Sequence, residues 1–408
     1  MYKLENHSHW PVVKEVCRKL IENGKIAYLA GGCVRDYLLG RKPADFDVAT
    51  DATPEEIQQI FEKTLSVGVK YGIVHVVIDG LSVEVGTFRK DGDYVDGRHP
   101  QQVGYSNAQE DAKRRDFTIN AMFLDMATGQ VIDYQGGKKD LQRHCIRAVG
   151  EPKNRFEEDY LRILRALRFA AQLGFEIDPK TWEALHGQGP RLGKLSVERI
   201  QQEWVKLLSA DFPEKGLFSL RLLNYLPLMG SQMAHNFSAE TAALFYRVTQ
   251  RTRTWECRLA CLYVGAESDA VKHDMKQLKF SNEHIRHTQQ IHNSLQEILD
   301  RTTPLGRRIE IFNGETSFFA GVIGEELPRE KNQPTAPENA MAHQYLKKYL
   351  QKQQGLPEVL VRGEDLKSFS EVEPRQYGDL LKRCRWIQLE NPEWSKQQLI
   401  HSALKKPN

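Results

Sequence analysis

The sequence predicts an α+β protein in which a small domain with a mixed sheet precedes a mostly helical remainder. Three observations support this fold class. Short apolar runs of strand length, such as "IAYLA", lie within the first 145 residues. Two further segments there, "GIVHVVIDG" and "LSVEVGTF", alternate apolar and polar residues around Asp79-Gly80, which is typical of a β-hairpin. From about residue 155, apolar residues instead recur at helical spacing almost to the end of the chain.

The elements of the first domain follow one another at short intervals. Residues 11–23 have a helical pattern, "IAYLA" is a buried strand, and "VRDYLLG" is a helix that ends at Gly40. "DFDVAT" is the next strand. The helix "TPEEIQQIFEKT" has Thr53 as its N-cap and Glu56 three residues later, which is the arrangement of a capping box. In the remainder, "EEDYLRILRALRFAAQLGF" and "SVERIQQEWVKLLSA" are predicted helices.

Length and composition narrow the class of protein. A chain of 408 residues exceeds what one hydrophobic core usually organises, so we expect several domains. The net charge of +3 is too small to indicate a polyanionic partner by itself. No apolar run approaches the roughly 20 residues that span a bilayer, and the first residues lack a signal-peptide pattern, so we expect a cytoplasmic protein with no membrane partner. The six cysteines form no CxxC pair, which favours buried, reduced thiols.

Asp45 and Asp47 are candidate catalytic and metal-binding residues. If "DFDVAT" is a strand, side chains two positions apart share a face, so both carboxylates project together while Phe46 points to the opposite side. Glu84, in the alternating "LSVEVGTF", is a candidate third carboxylate on a neighbouring strand. Such oxygen ligands suit Mg²⁺, which keeps several waters and binds a few carboxylates together with substrate phosphates. The alternative is that the two aspartates only mark the end of a strand.

Gly31 and Gly32 are candidate nucleotide-binding residues. Glycine lets the backbone approach a ligand closely, and the helix that follows offers free N–H groups to a phosphate of a nucleoside triphosphate. Arg35, one turn into this helix, would add a charge-assisted hydrogen bond. A dinucleotide-binding motif is excluded because GxGxxG is absent. A glycine pair is also common in structural turns, and that alternative stays open.

Three segments in combination, "GGCVRDYLLGRKPADFDVAT", "RRDFTINAM" and "EEDYLRILRALRFAAQLGF", resemble the class II tRNA nucleotidyltransferase and bacterial poly(A) polymerase family. The resemblance implies a nucleotidyltransferase head (1–145) followed by an all-helical neck (146–210), body (211–300) and tRNA-binding tail (301–408). It implies transfer of a nucleotide from CTP or ATP to an RNA 3′ hydroxyl, here most simply the completion or repair of the CCA end of tRNA. It also assigns Asp45 and Asp47 to the metal ions of a two-metal reaction that releases pyrophosphate.

Asp159 and Arg162 are candidates for choosing the base. They are three residues apart in "EEDYLRILR", so on a helix they share a face and present an acceptor beside a donor. Cytosine and adenine both offer an amino donor and a ring-nitrogen acceptor, which this pair would match. The resemblance assigns a templating role to the same positions. The alternative is an ordinary helix ion pair. For Arg165 and Arg168, predicted to bind nucleotide or RNA phosphate, a solvated helix face is equally open.

Further assignments depend on the resemblance. It implies that Arg115 and Asp116 contact the sugar and phosphates of the nucleotide, although Asp116 would also suit the N-cap of a helix. It assigns "SVERI", with Arg199, to a segment that braces the templating helix. Residues 88–105 have the polar, glycine-rich composition of a mobile loop. In the family such a loop assists the change from C to A addition, and Arg98 is its candidate working residue.

Alternatives remain within and outside the family. An enzyme that adds only A to tRNA, or a poly(A) polymerase, would share these motifs. A protein that binds RNA without catalysis would have no chemical need for both "DFD" and "EDYLR". Some relatives carry an HD phosphohydrolase domain, but here we expect His273-Asp274 to be a surface pair without that activity. The sequence does not indicate an oligomeric state.

Overall fold

The protein was examined as a computed structural model that describes residues 3–65, 71–91, 103–300, 302–314, 341–342, 344, 356–369 and 372–405. The chain divides into two compact units, Met1–Tyr225 and Leu226–Asn408. The first unit contains a mixed sheet, and helices dominate after it, so the predicted α+β class is confirmed. The division into head, neck, body and tail stays a prediction.

The described strands all belong to the first unit. They are β1 Tyr28–Ala30, β2 Asp47–Thr50, β3 Thr64–Leu65, β4 Ile73–Ile78, β5 Leu81–Thr87, β6 Arg89–Asp91, β7 Val103–Tyr105, β8 Met122–Asp125, β9 Val131–Asp133, β10 Cys145–Ile146 and β11 Glu176–Ile177. Seven of them form one sheet in the order β3-β4-β5-β2-β1-β8-β9. β2 and β5 are parallel, whereas β1 is antiparallel to both β2 and β8. β6 pairs with β7, and β10 with β11, outside this sheet.

The β4–β5 hairpin confirms the turn predicted at Asp79-Gly80. Both residues have positive φ, 50° and 77°, as a type I′ turn requires. β5 then runs parallel to β2, in a register that pairs Glu84 with Asp47. The parallel pairing of β5 with β2 therefore places the third predicted carboxylate beside the second.

The helices of the first unit alternate with the strands along the chain and then continue after them. They are α1 Trp10–Glu22, α2 Gly32–Leu38, α3 Pro54–Ile60, α4 Ala108–Arg114, α5 Gly137–Gln142, α6 Pro152–Glu158, α7 Leu161–Leu173, α8 Pro179–Leu185, α9 Gly189–Leu192, α10 Val197–Leu208 and α11 Pro213–Leu222, with short 3₁₀ helices at Leu4–Asn6 and Thr118–Asn120. α3 has the predicted capping box between Thr53 and Glu56. α7 packs against both α10 and α11.

Two element boundaries differ from the predictions at residues that matter for the site. β2 begins at Asp47, so Asp45 precedes the strand and the strand geometry inferred for it is wrong. The helix predicted through "EEDYLRILR" is interrupted: α6 ends at Glu158, and Asp159 has an extended backbone with φ −141° and ψ 107°. The Asp159 carboxylate accepts a hydrogen bond from the backbone N–H of Leu161 at 3.0 Å. Aspartate side chains commonly bond to nearby backbone N–H groups, and such a bond competes with the backbone hydrogen bonds of a continuous helix.

The described part of the second unit is helical. Its helices are α12 Leu226–Met229, α13 Ser231–Asn236, α14 Ala239–Thr249, α15 Trp255–Cys261, α16 Ser268–Gln277, α17 Asn282–Leu299, α18 Leu305–Asn313, α19 Gly363–Leu366, α20 Tyr377–Glu390 and α21 Lys396–Leu404, with a 3₁₀ helix at Pro374–Gln376. One apolar core joins α14, α15, α17 and α18, and another joins α20 and α21. Among the residues described, no helix has the length and apolar character needed to cross a membrane. The cytoplasmic location stays a prediction.

Asp274 corrects the expectation of a surface His-Asp pair. His273 is exposed, but Asp274 is only 2% exposed. Its carboxylate accepts hydrogen bonds from the backbone N–H groups of Gln232 (3.2 Å) and Met233 (3.0 Å) and from the Tyr263 hydroxyl (3.1 Å). Asp274 therefore satisfies the first turn of α13 and has a structural role in the second unit.

Candidate active site

Asp45, Asp47 and Glu84 form a group that we call the carboxylate edge. Asp47 begins β2 and pairs with Glu84 of β5, and paired residues on parallel neighbours project from the same face of the sheet. Asp45 is exposed, whereas Asp47 and Glu84 are half-buried. Within the described ranges, no lysine or arginine forms an ion pair with any of the three.

The carboxylate edge raises the pKa of Asp47 to about 7. Burial is the largest cause, repulsion from Glu84 and then Asp45 adds to it, and Arg115 opposes it. Asp45 thus acts on Asp47 although it lies outside the strand. Burial and the two neighbouring carboxylates together raise this pKa despite Arg115, so the site combines limited solvent access with clustered carboxylates, as expected where a cation binds.

The donor set of the carboxylate edge fits a hard divalent cation. All of its possible ligands are carboxylate oxygens. In the described part of the chain, no three His, Cys, Asp or Glu side chains lie close enough to form a complete metal centre. The three carboxylates therefore do not form a complete metal centre by themselves.

Gly31 lies where the carboxylate edge meets Arg115. Its φ is +73°, in the region that favours glycine, and a Cβ at this position would lie 2.9 Å from Arg115 Nη1 and 4.0 Å from Asp47 Oδ2. A side chain is therefore excluded both by the backbone and by space. Gly32 follows as the first residue of α2. The close approach of Arg115 and Asp47 to the Gly31 backbone is consistent with the phosphate-binding role predicted for the pair, which stays a prediction.

Arg35 is held inside the first unit. It is 4% exposed; its Nε donates to Asp36 at 2.9 Å and its Nη1 donates to the Asn120 side chain at 2.8 Å. Its guanidinium also lies 5.3 Å from the centre of the Phe169 ring. Arg35 thus links α2 to the 3₁₀ helix Thr118–Asn120. The geometry favours a positioning role, and its predicted contact with phosphate stays a prediction.

Asp116 is buried and fully occupied as an acceptor. One carboxylate oxygen accepts from the Phe117 N–H (2.8 Å) and the Asn120 amide (3.1 Å), and the other accepts from Arg165 Nε (2.7 Å). Burial raises the pKa of Asp116, but Arg165 and Asn120 outweigh it and hold the pKa at about 2. Phe117, and not Asp116, occupies the N-cap of the 3₁₀ helix that follows. Contact with a ribose hydroxyl would require one of these donors to leave.

Arg162, Arg165 and Arg168 of α7 form a group that we call the arginine cluster. Arg165 pairs with Asp116, and Arg168 Nε donates to Glu203 of α10 at 2.5 Å. Arg168 is 7% exposed and Glu203 is 5% exposed. This buried pair favours a structural role for Arg168 over contact with phosphate. For Arg165, the ion pair to Asp116 joins α7 to the "RRDFTINAM" segment.

Arg162 and Asp159 do not pair with each other. Arg162 donates to the Glu158 carboxylate at 2.6 Å and to the Arg114 carbonyl oxygen at 2.9 Å. Arg199 of α10 donates to both oxygens of Asp159 at 3.2 Å. The alternative of an Asp159–Arg162 ion pair is therefore wrong. The contact from Arg199 is of the bracing kind implied for "SVERI".

The two ends of the segment 88–105 pair with each other. Arg89–Asp91 and Val103–Tyr105 are the antiparallel strands β6 and β7. The prediction for Arg98 lies outside the described residues. A cavity of about 190 Å³ adjoins the hairpin and is lined by residues that include Asp47, Glu84, Arg89, Asp111, Arg114 and Arg115. It therefore connects β6 with the carboxylate edge.

Sequence reasoning missed Asp111, Asn120 and Glu203. Asp111 is 1% exposed and pairs with Arg114 and Arg115. Its signal was present, because the three residues in "EDAKRRD" have i, i+3 and i+4 spacing on a helix. Asn120 and Glu203 bond to arginines 85 and 35 positions away, and no local pattern predicts such pairs.

Two family models match parts of the chain. One, described as "Poly A polymerase head domain", covers residues 27–147. The other, described as "Probable RNA and SrmB- binding site of polymerase A", covers residues 174–231. The first of these contains the carboxylate edge, Gly31 and Arg115.

Curated relatives and solved structures extend the similarity. The chain is 42% identical over 277 residues to the CCA-adding enzyme of Streptococcus suis (strain 05ZYH33), which is 66% of this chain and 67% of the relative. It is 38% identical over 286 residues to that of Lactiplantibacillus plantarum, or 69% of each chain. A crystal structure of the Bacillus stearothermophilus CCA-adding enzyme in complex with CTP matches with a TM-score of 0.71 and 27% identity, over 98% of this chain and 97% of that one.

Proposed function

The chain belongs to the family of CCA-adding enzymes, and on this premise we propose that it completes or repairs the 3′-terminal CCA of tRNA. It uses CTP and ATP, needs no nucleic-acid template and releases pyrophosphate. The observation that carries this proposal is the carboxylate edge beside Gly31, where three carboxylates that form no ion pair among the described residues adjoin a glycine backbone and the Arg115 guanidinium. The alternatives, an enzyme that adds only A or a poly(A) polymerase, have less support, because the relatives compared above are all named CCA-adding enzymes.

A nucleotidyltransferase of this kind uses a divalent cation, and we propose Mg²⁺ for this one. Asp45 and Asp47 would hold it, and Glu84 would act as the third catalytic carboxylate. When bound, the ion would activate the attacking 3′ hydroxyl and neutralise the leaving pyrophosphate. The raised pKa of Asp47 supports this assignment, because a cation would replace the proton that the isolated site retains.

Residues of the chain position the nucleotide against this edge. The backbone of Gly31 and Gly32 is proposed to bind the triphosphate, and Arg115, whose Nη1 faces Gly31, supplies a positive charge there. Asp116 holds Arg165 and is proposed to approach the ribose once the nucleotide is bound. Arg35 supports this region through Asn120. Contact of Arg165 or Arg168 with phosphate would require each to give up its carboxylate partner, Asp116 or Glu203.

Asp159 and Arg162 have the hydrogen-bonding capacity to read a base. A carboxylate offers about four acceptor sites, and Asp159 is half-buried with Leu161 and Arg199 as its donors. The guanidinium of Arg162 has five N–H groups, and its contacts to Glu158, Arg155 and Arg114 use only some of them. Held in this way by their neighbours, the two side chains would present an acceptor and a donor to cytosine or adenine.

Primer extension tests the proposal. Purified protein is incubated with Mg²⁺, each single nucleoside triphosphate, and tRNA that ends before CCA, tRNA that ends after CC, or an unrelated RNA. We expect CMP to be added to the first tRNA and AMP to the second, with no extension of unrelated RNA. Addition of A alone to tRNA ending in CC would favour the A-adding alternative, and long A tails on any RNA would favour a poly(A) polymerase. No incorporation on any substrate would contradict an enzymatic role.

A further inference from the structure

Asp111 of α4 is a buried carboxylate that the predicted catalytic set does not include. It is 1% exposed and lines the cavity beside the carboxylate edge. Unlike Asp45, Asp47 and Glu84, it is surrounded by positive charge. Burial raises the pKa of Asp111, but Arg115 and Arg114 outweigh burial, so the pKa lies below its ordinary value and the carboxylate stays ionised.

The two oxygens of Asp111 hold two adjacent arginines. Oδ1 accepts hydrogen bonds from Arg114 Nε (2.9 Å) and Nη2 (2.6 Å), and Oδ2 accepts from Arg115 Nε at 3.1 Å. Nη2 of Arg115 also lies 3.0 Å from Oδ2. A guanidinium held along one edge by a carboxylate has a fixed orientation, which a single contact would not give it.

Asp111 holds Nε and Nη2 of Arg115, and this contact determines where Nη1 of the same guanidinium points. Nη1 donates to the Asn120 carbonyl oxygen at 3.3 Å and lies 2.9 Å from the place that a Cβ of Gly31 would occupy. The guanidinium also lies 5.1 Å from the centre of the Phe123 ring. Asp111 thus directs a positive charge at Gly31, close enough to lower the pKa of Asp47.

Asp111 also touches the two neighbouring parts of the site. The backbone N–H of Arg89, which begins β6, lies 3.4 Å from Oδ1. Arg114, which Asp111 holds by its side chain, accepts a hydrogen bond from Arg162 at its carbonyl oxygen. One carboxylate therefore connects the hairpin β6–β7, the arginine beside Gly31 and, through Arg114, the proposed base-reading arginine.

We propose that Asp111 is a positioning residue that orients Arg115 toward the triphosphate of the incoming nucleotide. The inference rests on the proposed function and deepens it, because it names the group that keeps this cation in place before the nucleotide arrives. If Asp111 only stabilised α4, its loss would lower stability without changing the apparent affinity for nucleotides. The two roles therefore differ in a measurable quantity.

The test compares full-length D111N with wild type in single-nucleotide incorporation, CTP on tRNA that ends before CCA and ATP on tRNA that ends after CC. The amide keeps the shape but places an N–H₂ against one guanidinium. We expect KM for both nucleotides to rise roughly 10- to 100-fold, the effect of losing a hydrogen bond to a charged group, with a smaller change in kcat. D274N is the matched control, because Asp274 is equally buried but lies in the second unit. It should lose stability with KM unchanged.

A double-variant cycle with R115A separates the roles further. If Asp111 acts through Arg115, D111N/R115A should have nearly the same kcat/KM as R115A alone. Full multiplication of the two single effects, or an unchanged KM in D111N, would overturn the proposal. If D111N does not fold, D111E takes its place, because it keeps the charge but shifts it by one methylene. A raised KM in D111E supports the proposal, and an unchanged KM overturns it. Wild-type incorporation in the same assay tests the proposed function separately.

Discussion

The carboxylate edge and the arginine cluster differ in whether their charged side chains form ion pairs within the protein. In the part of the chain that the structure describes, Asp45, Asp47 and Glu84 form no ion pair, and the pKa of Asp47 is raised to about 7. Each arginine of the cluster has a carboxylate partner from the protein itself: Glu158, Asp116 or Glu203. The carboxylate edge is thus open to a cation, whereas the ion pairs of the arginine cluster also hold α7 against its neighbours.

The largest expected effect comes from removing charge at the carboxylate edge. Asp47→Asn keeps the size of the side chain but removes half of the proposed metal-binding pair. We expect kcat for CMP and AMP incorporation to fall by at least about 10³-fold, or ~4 kcal/mol, because a bound cation supplies several kcal/mol of transition-state stabilisation. Binding of tRNA, measured by filter retention, should change little.

The matched control for Asp47→Asn is Asp79→Asn. Asp79 is an exposed aspartate in the turn between β4 and β5, and asparagine tolerates its positive φ of 50°. It should retain wild-type incorporation. An active Asp47→Asn variant would remove the distinction between the two regions, since the charge at the edge would then have no chemical role.

The next largest effect concerns stability and comes from the buried pair of Arg168 and Glu203. Arg168→Met leaves Glu203 as a buried charge without its partner, which costs about 3–5 kcal/mol. Urea denaturation should show this loss, while the choice among the four nucleoside triphosphates stays as in wild type. Replacing both residues, in Arg168→Met/Glu203→Leu, should restore most of the lost stability. A changed nucleotide KM at wild-type stability would instead assign Arg168 to the nucleotide.

A smaller effect, on specificity, is expected at Arg162. Arg162→Ala removes the proposed donor to the base, and a matched bidentate contact discriminates by about 1–3 kcal/mol in nucleic-acid recognition. The ratio of kcat/KM for CTP over UTP should therefore fall. Arg191→Ala is the control, because Arg191 also pairs with a glutamate, Glu157, but at the surface. Unchanged discrimination in Arg162→Ala would contradict the base-reading role of Arg162.

The smallest expected effects are on stability, at the N-terminal ends of two helices. One helix, α3, follows the strand of the carboxylate edge, and the other, α10, packs against the arginine cluster. Thr53 precedes α3, after β2, and its side chain accepts from the Glu56 N–H. Ser196 precedes α10, which carries Arg199 and Glu203, and makes no side-chain cap bond. Thr53→Ala should cost about 1 kcal/mol, whereas Ser196→Ala should cost less. Equal losses in thermal denaturation of the two variants would contradict the described capping.

The sequence predicted the carboxylate edge better than the arginine cluster. Strand alternation and the Asp79-Gly80 turn are local signals that predicted the strand of Glu84 and made Glu84 a candidate, whereas its register beside Asp47 comes from the fold. The partners of the arginine cluster are distant in the chain: Asp116 lies 49 positions from Arg165. Only the tertiary fold brings such residues together. The sequence therefore shows how many charged residues there are but not which of them form ion pairs.

The helix break at Asp159 shows a second limit. The segment "EEDYLRILR" contains neither glycine nor proline, and its apolar spacing favours one continuous helix. The break depends on the Asp159 side chain, which bonds to the Leu161 N–H and receives Arg199 from α10. A residue expected on a helix face is therefore held between α6 and α7.

A crystal soaked with Mn²⁺ in place of Mg²⁺ and with CTP tests the central claim most directly. Anomalous scattering locates the cation, and the density of the nucleotide locates the base. We expect the cation between the carboxylate of Asp47 and the phosphates of CTP, with the cytosine edge within hydrogen-bonding distance of Asp159 and Arg162. A cation bound away from the carboxylate edge, or a base lodged far from both residues, would contradict the account.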